Sequence, residues 1–153
     1  MGHQSAFGLR LQTRPLALLL TPGQAGDSGE LGAVLDSIRI PRIGRGRPRM
    51  RPDRVLAPKI YSSAANRTWL RRHGIAAIIP IPADQAGHRH RRCSNGGRPP
   101  AFDSTRYRDR NTVERGINQL KQHRAAATRY DELAVRYLAT LHIAVINQWL
   151  RHP

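Results

Sequence analysis

The stretch Tyr107-Arg-Asp-Arg110-Asn-Thr-Val-Glu114-Arg-Gly-Ile-Asn-Gln-Leu-Lys121 constrains this chain most tightly. Read as a helix at about 100° per residue, it gathers Tyr107, Arg110, Glu114, Ile117 and Lys121 into an arc of roughly 80°. Val113 and Leu120 lie beside that arc and seat the helix on a core. A line of Arg, Glu and Lys along an apolar face is a poor candidate for burial. It suits a carboxylate that holds a metal, flanked by cations that hold phosphate. A plainer reading stays open: Arg110 and Glu114, one turn apart, form a surface ion pair contributing a few tenths of a kcal/mol.

Charge narrows the partners. The 153 residues hold 26 Lys and Arg against 10 Asp and Glu, a formal net charge of +16. Such a field attracts DNA or RNA and releases condensed counterions on binding. Lys59 and Lys121 are the only lysines, and an arginine skew of this kind can also come from GC-rich coding. Aromatic residues make up 5% of the chain, too few for a single-strand binder built on stacking platforms. Cys93 stands alone, so no intrachain disulfide framework exists and a reducing compartment is expected. The apolar runs 16–20 and 143–150 are too short or too interrupted to span a bilayer, and no membrane partner is expected.

Along the chain, Leu16–Leu20 reads as a buried strand closed by Pro22-Gly23. Asp27 or Ser28 caps a helix reaching Ile38, with Leu31, Val34, Leu35 and Ile38 on its apolar face. Gly, Pro and Arg fill 42–52, a flexible basic loop. Arg54–Ala57 is a strand stub ended by Pro58. Ser62 or Ser63 caps a helix through His73, with Gly74 as its left-handed terminator. Ile75–Ile81 is the strongest strand candidate, and 82–103 reads as a second basic loop. Ser104 opens the helix described above, and Tyr130–Leu150 reads as a helix apolar nearly all round, hence buried. Strands alternating with helices predict an α/β fold.

The spacing Tyr107-x2-Arg110-x3-Glu114-x6-Lys121 resembles the signature around the catalytic glutamate of bacterial insertion-sequence transposases of the DDE type, which have an RNase H-like core. Further segments follow in the family's order. Pro15–Ser28 resembles its third strand and turn. Arg54–Ser63, with Asn66-Arg67 and Leu70–Ile75, resembles its fourth strand and next helix. Gly96–Asp103, Arg129–Leu133 and Trp149–Arg151 continue the likeness. It runs from 15 to 153, and residues 1–14 stand outside it.

The resemblance implies DNA strand cleavage and transfer by two divalent metals about 3.5–4 Å apart, held by converging carboxylates. Glu114 takes the place of one metal ligand. Arg110 and Lys121 take those of phosphate contacts, and Tyr107 orients that face. The family's fourth strand ends in Ala-Asp-Lys-x-Tyr, and here that motif is Ala57-Pro58-Lys59-Ile60-Tyr61. Pro58 therefore stands where the second catalytic aspartate belongs, and the first, on the family's first strand, has no counterpart here. The expectation is a 5′-truncated, catalytically inactive fragment: an incomplete RNase H-like fold, a mixed sheet flanked by helices with its first strand missing. Glu114 would be a vestigial ligand, with the family's Mg²⁺ not bound.

Arg45, Arg47 and Arg49, and Arg89, Arg91, Arg92 and Arg98, are the candidate DNA contacts. The partners expected are DNA and intact transposase subunits, in the cytoplasm at the nucleoid. Two other functions stay open: a DNA-binding inhibitor of intact transposase, and a basic RNA-binding protein. Asp53, Asp84 and Asp103 are the acids that could replace a missing ligand, and read as surface acids. His88, His90 and Cys93 offer zinc donors without a second Cys-x2-Cys pair, and a basic loop is the better reading.

Overall fold

The first strand, β1 (His3–Leu9), pairs antiparallel with β2 (Pro15–Pro22), His3 opposite Pro22, in a computed structural model that describes residues 3–9, 15–22, 26–128 and 133–151. The expected Leu16–Leu20 strand is thus present, and it has a partner in a segment left unassigned from sequence. Expectations resting on Gly23, on 10–14 and on Arg129–Glu132 fall outside the described residues, as does the side chain of Val113.

Contacts divide the chain into two units, one holding 1–51 with 111–153, the other Pro52–Arg110. In the first, a single 3-10 turn leads into α1 (Leu31–Asp36). Leu31, Val34 and Leu35 are buried, as their i, i+3, i+4 spacing requires, and Ile38, also buried, lies past the end of the helix, which stops short of the expected span. Ser37 ends the helix, its Oγ donating to the Val34 carbonyl at 2.7 Å. Further on in this unit come α5 (Asn111–Lys121), α6 (Arg124–Thr128) and α7 (Ala134–Arg151). Ala126, Tyr137 and Leu141 form a core against which Leu18 and Leu20 of β2 pack. The Tyr137 hydroxyl, buried there, donates to the Ala126 carbonyl at 3.3 Å, which removes the cost of an unmatched phenol. Trp149 is half-buried, with Nε1 donating to the Pro15 carbonyl at 3.1 Å.

α7 corrects one expectation. Only its Tyr137, Leu141, Ala144 and Gln148 face is buried, whereas Val135, Ile143, Ile146 and Leu150 are exposed. Apolar residues all round the helix supply the surface for burial, but this unit packs against one side alone. No described helix is long and apolar enough to cross a membrane.

In the second unit, β3 (Arg54–Leu56) pairs parallel with β4 (Ala76–Ile78), and α2 (Ala64–Arg72) connects them. Ser63 is the N-cap, its Oγ accepting from the Asn66 N–H at 3.2 Å. Gly74 adopts φ +67°, and Ile75 N–H then bonds the Leu70 carbonyl at 2.9 Å, turning the chain from helix into strand. Leu70 and Ile79 are fully enclosed, each contributing about 2 kcal/mol of hydrophobic stabilisation.

The basic segment 82–103 is not a loop throughout. α3 (Ala83–Arg91) occupies its first part, and a 3-10 turn, Cys93–Gly96, follows. Pro82 sits at the N-cap, a place that needs no donor, and Asp84 complements the first turn, so a lone Gly87 does not break the helix. Last comes α4 (Ser104–Tyr107), capped by Asp103, whose Oδ1 accepts from the Arg106 N–H at 3.0 Å. The α/β class is met. Among the described residues the strands form two separate pairs rather than one mixed sheet.

Candidate functional site

Pro58 lies two residues beyond β3, in extended backbone at the N-cap of a 3-10 turn, Lys59–Tyr61. Ala57 before it is buried, and its N–H reaches the Ile78 carbonyl at 3.4 Å, so β4 still guides the chain there. The Pro58 carbonyl accepts from Tyr61 N–H at 3.0 Å. Its ring carries no oxygen. The position therefore offers no side-chain metal donor, whatever the backbone geometry.

Behind that turn is a polar cluster that sequence reasoning did not single out. Arg67 on α2 donates to Ser62 Oγ at 2.9 Å and to the Ile79 carbonyl at 2.8 Å. Ser62, itself buried, donates to Gln85 Oε1 on α3 at 3.2 Å. One guanidinium thus links both ends of the βαβ unit to α3. Burial, with a smaller push from the like charge of Arg89, lowers the Arg67 pKa from its usual value. The signal in the sequence was faint: polar residues at 62 and 66 where the helix faces inward.

The signature stretch is not one helix. α4 ends at Tyr107, a 3-10 turn covers Arg108–Arg110, and α5 begins at Asn111. Tyr107 and Arg110 belong to the Pro52–Arg110 unit, Glu114 and Lys121 to the other. The first two are brought together: Arg110 donates to the Tyr107 hydroxyl at 2.9 Å, and its guanidinium carbon lies 5.6 Å from the ring centroid. Phe102 leans on the same ring at 5.3 Å. On α5, Glu114 and Lys121 are two turns apart and both exposed, while Leu120 is buried. That helix carries its charges outward and its leucine inward, as its spacing requires.

The basic residues fall into two groups. Arg91 lies on α3 and donates to His88 Nδ1 at 2.8 Å, Arg92 is the helix C-cap, and Arg98 is exposed beyond it. Arg89 is half-buried and donates to the Gly96 carbonyl at 3.2 Å, which closes the turn after α3. Only Gly fits at 96, since a Cβ there would collide with the Arg89 carbonyl oxygen and sit 2.8 Å from its Cγ. In the other unit, reciprocal Ile40–Arg49 backbone bonds, both 2.9 Å, pin the 42–52 segment. Arg39, Arg47, Pro48, Arg49, Met50 and Arg51 line a concavity of about 410 Å³ there. Arg39 and Arg51 escaped the sequence reading because the bridge that aligns them with Arg47 and Arg49 has no local signal.

The residues present do not fit a pair of Mg²⁺ ions. At the positions that the resemblance assigns to metal ligands stand Glu114 and a proline, and among the described residues no three of His, Cys, Asp and Glu cluster to hold a metal. The acids that could have substituted are otherwise placed. Asp84 is in the first turn of α3 and Asp103 caps α4 rather than lying in a loop, with its Oδ2 3.2 Å from Arg106 Nε. His88 and His90 are on one helix about 200° apart, so they point away from each other.

The βαβ unit fixes an α/β class, and comparison of the sequence with family models narrows it. Residues 3–147 match the transposase DDE domain. The chain belongs to that family. The match takes in His3–Leu9, the strand that pairs with β2. No curated protein and no solved structure gives a significant match.

Proposed function

We propose that this chain is a transposase-derived DNA-binding protein that does not cleave DNA. The observation that carries the reading is Pro58, fixed at the end of β3 where the family places a carboxylate. A metal pair needs several converging oxygens, and Glu114 alone is a weak Mg²⁺ ligand. DNA affinity makes no such demand. Exposed Arg45, Arg47, Arg91, Arg92, Arg98 and Lys121, within a net charge of +16, can neutralise phosphates without any metal. Arg110 is positioned differently: stacking and hydrogen bonding with Tyr107 fix its guanidinium and leave its orientation set before any phosphate arrives.

The test is a strand-cleavage assay on duplex DNA in Mg²⁺ or Mn²⁺. Wild type and Glu114→Gln should both stay at background while both shift DNA in a gel. Metal-dependent nicking abolished by Glu114→Gln would show that the chain is an enzyme. Binding to RNA but not to duplex DNA would favour the RNA-binding reading instead.

A second reading, inhibition of intact transposase through mixed oligomers, is favoured by the exposed Val135, Ile143, Ile146 and Leu150 of α7. Contiguous apolar surface of this kind marks association sites. Adding the chain to an active transposase of the family should then reduce transposition, and Ile143→Lys with Ile146→Lys should relieve that effect.

A further inference from the structure

We infer that the hairpin closed by Ile40 and Arg49 is an arm that enters the minor groove of A·T-rich duplex DNA, with Arg45-Gly46-Arg47 at the groove floor. The inference rests on the DNA-binding reading above and specifies where and how the arm meets its partner. Residues 39–51 hold Arg39, Arg42, Arg45, Arg47, Arg49 and Arg51 and no acid. Residues 41–51 are exposed except for what the bridge pins at the base. The two 2.9 Å bonds between Ile40 and Arg49, and the 3.1 Å bond from Arg49 Nε to the Arg51 carbonyl, give the arm a fixed root.

Its tip is shaped for a narrow slot. Gly44 at φ +106° and Gly46 at φ +146° adopt backbone conformations that side-chain-bearing residues rarely reach. Gly46 thereby leaves a bare stretch of backbone between two arginines, bordered only by Arg42, whose Cδ lies 3.6 Å from where a Cβ would be. The minor groove is about 6 Å wide, against about 12 Å for the major groove, and is narrowest and most negative in A·T tracts, which draw arginine in. A guanidinium is weakly hydrated and loses little on entering.

Chemistry excludes much of the major-groove alternative. Residues 39–51 contain no Asn, Gln, Asp or Glu to pair with adenine or cytosine edges. Arginine on guanine is what remains, and it predicts the opposite base preference. Ile43 at the tip is fully exposed. An apolar residue beside arginines is the combination with which minor-groove proteins wedge into base steps.

Fluorescence anisotropy of the full chain on labelled A·T-only and G·C-only duplexes of equal length, at one salt concentration, tests this. The A·T duplex should bind about tenfold tighter, and netropsin, a minor-groove ligand, should compete. Arg45→Lys with Arg47→Lys, which keeps the net charge, should bring the two affinities together, most of the loss falling on the A·T duplex. Since both residues are exposed, circular dichroism should match wild type. Equal affinities or a G·C preference in the wild type would overturn the minor-groove arm and leave general DNA binding standing. Failure to bind either duplex would overturn both.

Discussion

Pro58 and Arg67 show how much a single side chain decides here. Restoring a carboxylate with Pro58→Asp should not restore cleavage, because catalytic groups that act as a unit recover little when only part is repaired. Nicking of a family terminal-repeat substrate in Mn²⁺ should stay at the wild-type background; robust nicking by this single variant would mean that a further acid completes the site. Arg67 has the opposite character. Its guanidinium satisfies Ser62 and the Ile79 carbonyl in a part-buried setting, so Arg67→Ala should destabilise the 52–110 unit by about 1–3 kcal/mol. Urea denaturation monitored at Trp69, whose ring stacks on His73 in that unit, would measure it. An unchanged midpoint would mean that water replaces the guanidinium without loss.

At the scale of elements, α3 separates arginines that look alike in sequence. Arg89 is turned inward onto Gly96, whereas Arg91 and Arg92 end the helix in solvent. On the DNA-binding reading proposed above, phosphate contacts are expected of the exposed ones. Arg91→Ala with Arg92→Ala should therefore flatten the dependence of log affinity on log salt, by about 0.9 for each phosphate no longer neutralised. Arg89→Ala should instead lower stability, because the turn after α3 is then left open. A salt slope that moves only with Arg89 would reverse the assignment. The signature stretch divides into α4, a 3-10 turn and α5, so the single helix expected across 107–121 is replaced by three short elements.

On the scale of the whole molecule, two units each carry a two-stranded ladder among the described residues. Such pairs are marginal without further strands or helices packed on them. Exposed apolar residues on α7 add a route to association. Thermal unfolding followed by circular dichroism should be broad and finish below about 60 °C, within or under the ordinary mesophile range. A single sharp transition above that temperature in a monodisperse sample would show a sheet more complete than these ladders.

Several features were determined by sequence alone because their causes lie within a turn or two of chain. Leu31, Val34 and Leu35 had to share a helix face, Ser62 or Ser63 had to cap α2, and Gly74 had to turn it into β4. Proline at 58 offers no side-chain oxygen to a metal, whatever the fold. Only the tertiary structure decided that 83–91 coils into α3, that α7 buries one side, that Arg67 turns inward, and that Ile40 finds Arg49. Each of those outcomes depends on a partner brought close by folding: Gln85 for Ser62, Gly96 for Arg89, β2 for Tyr137 and Leu141. Burial and pairing are properties of surroundings, and residues distant in the chain supply the surroundings.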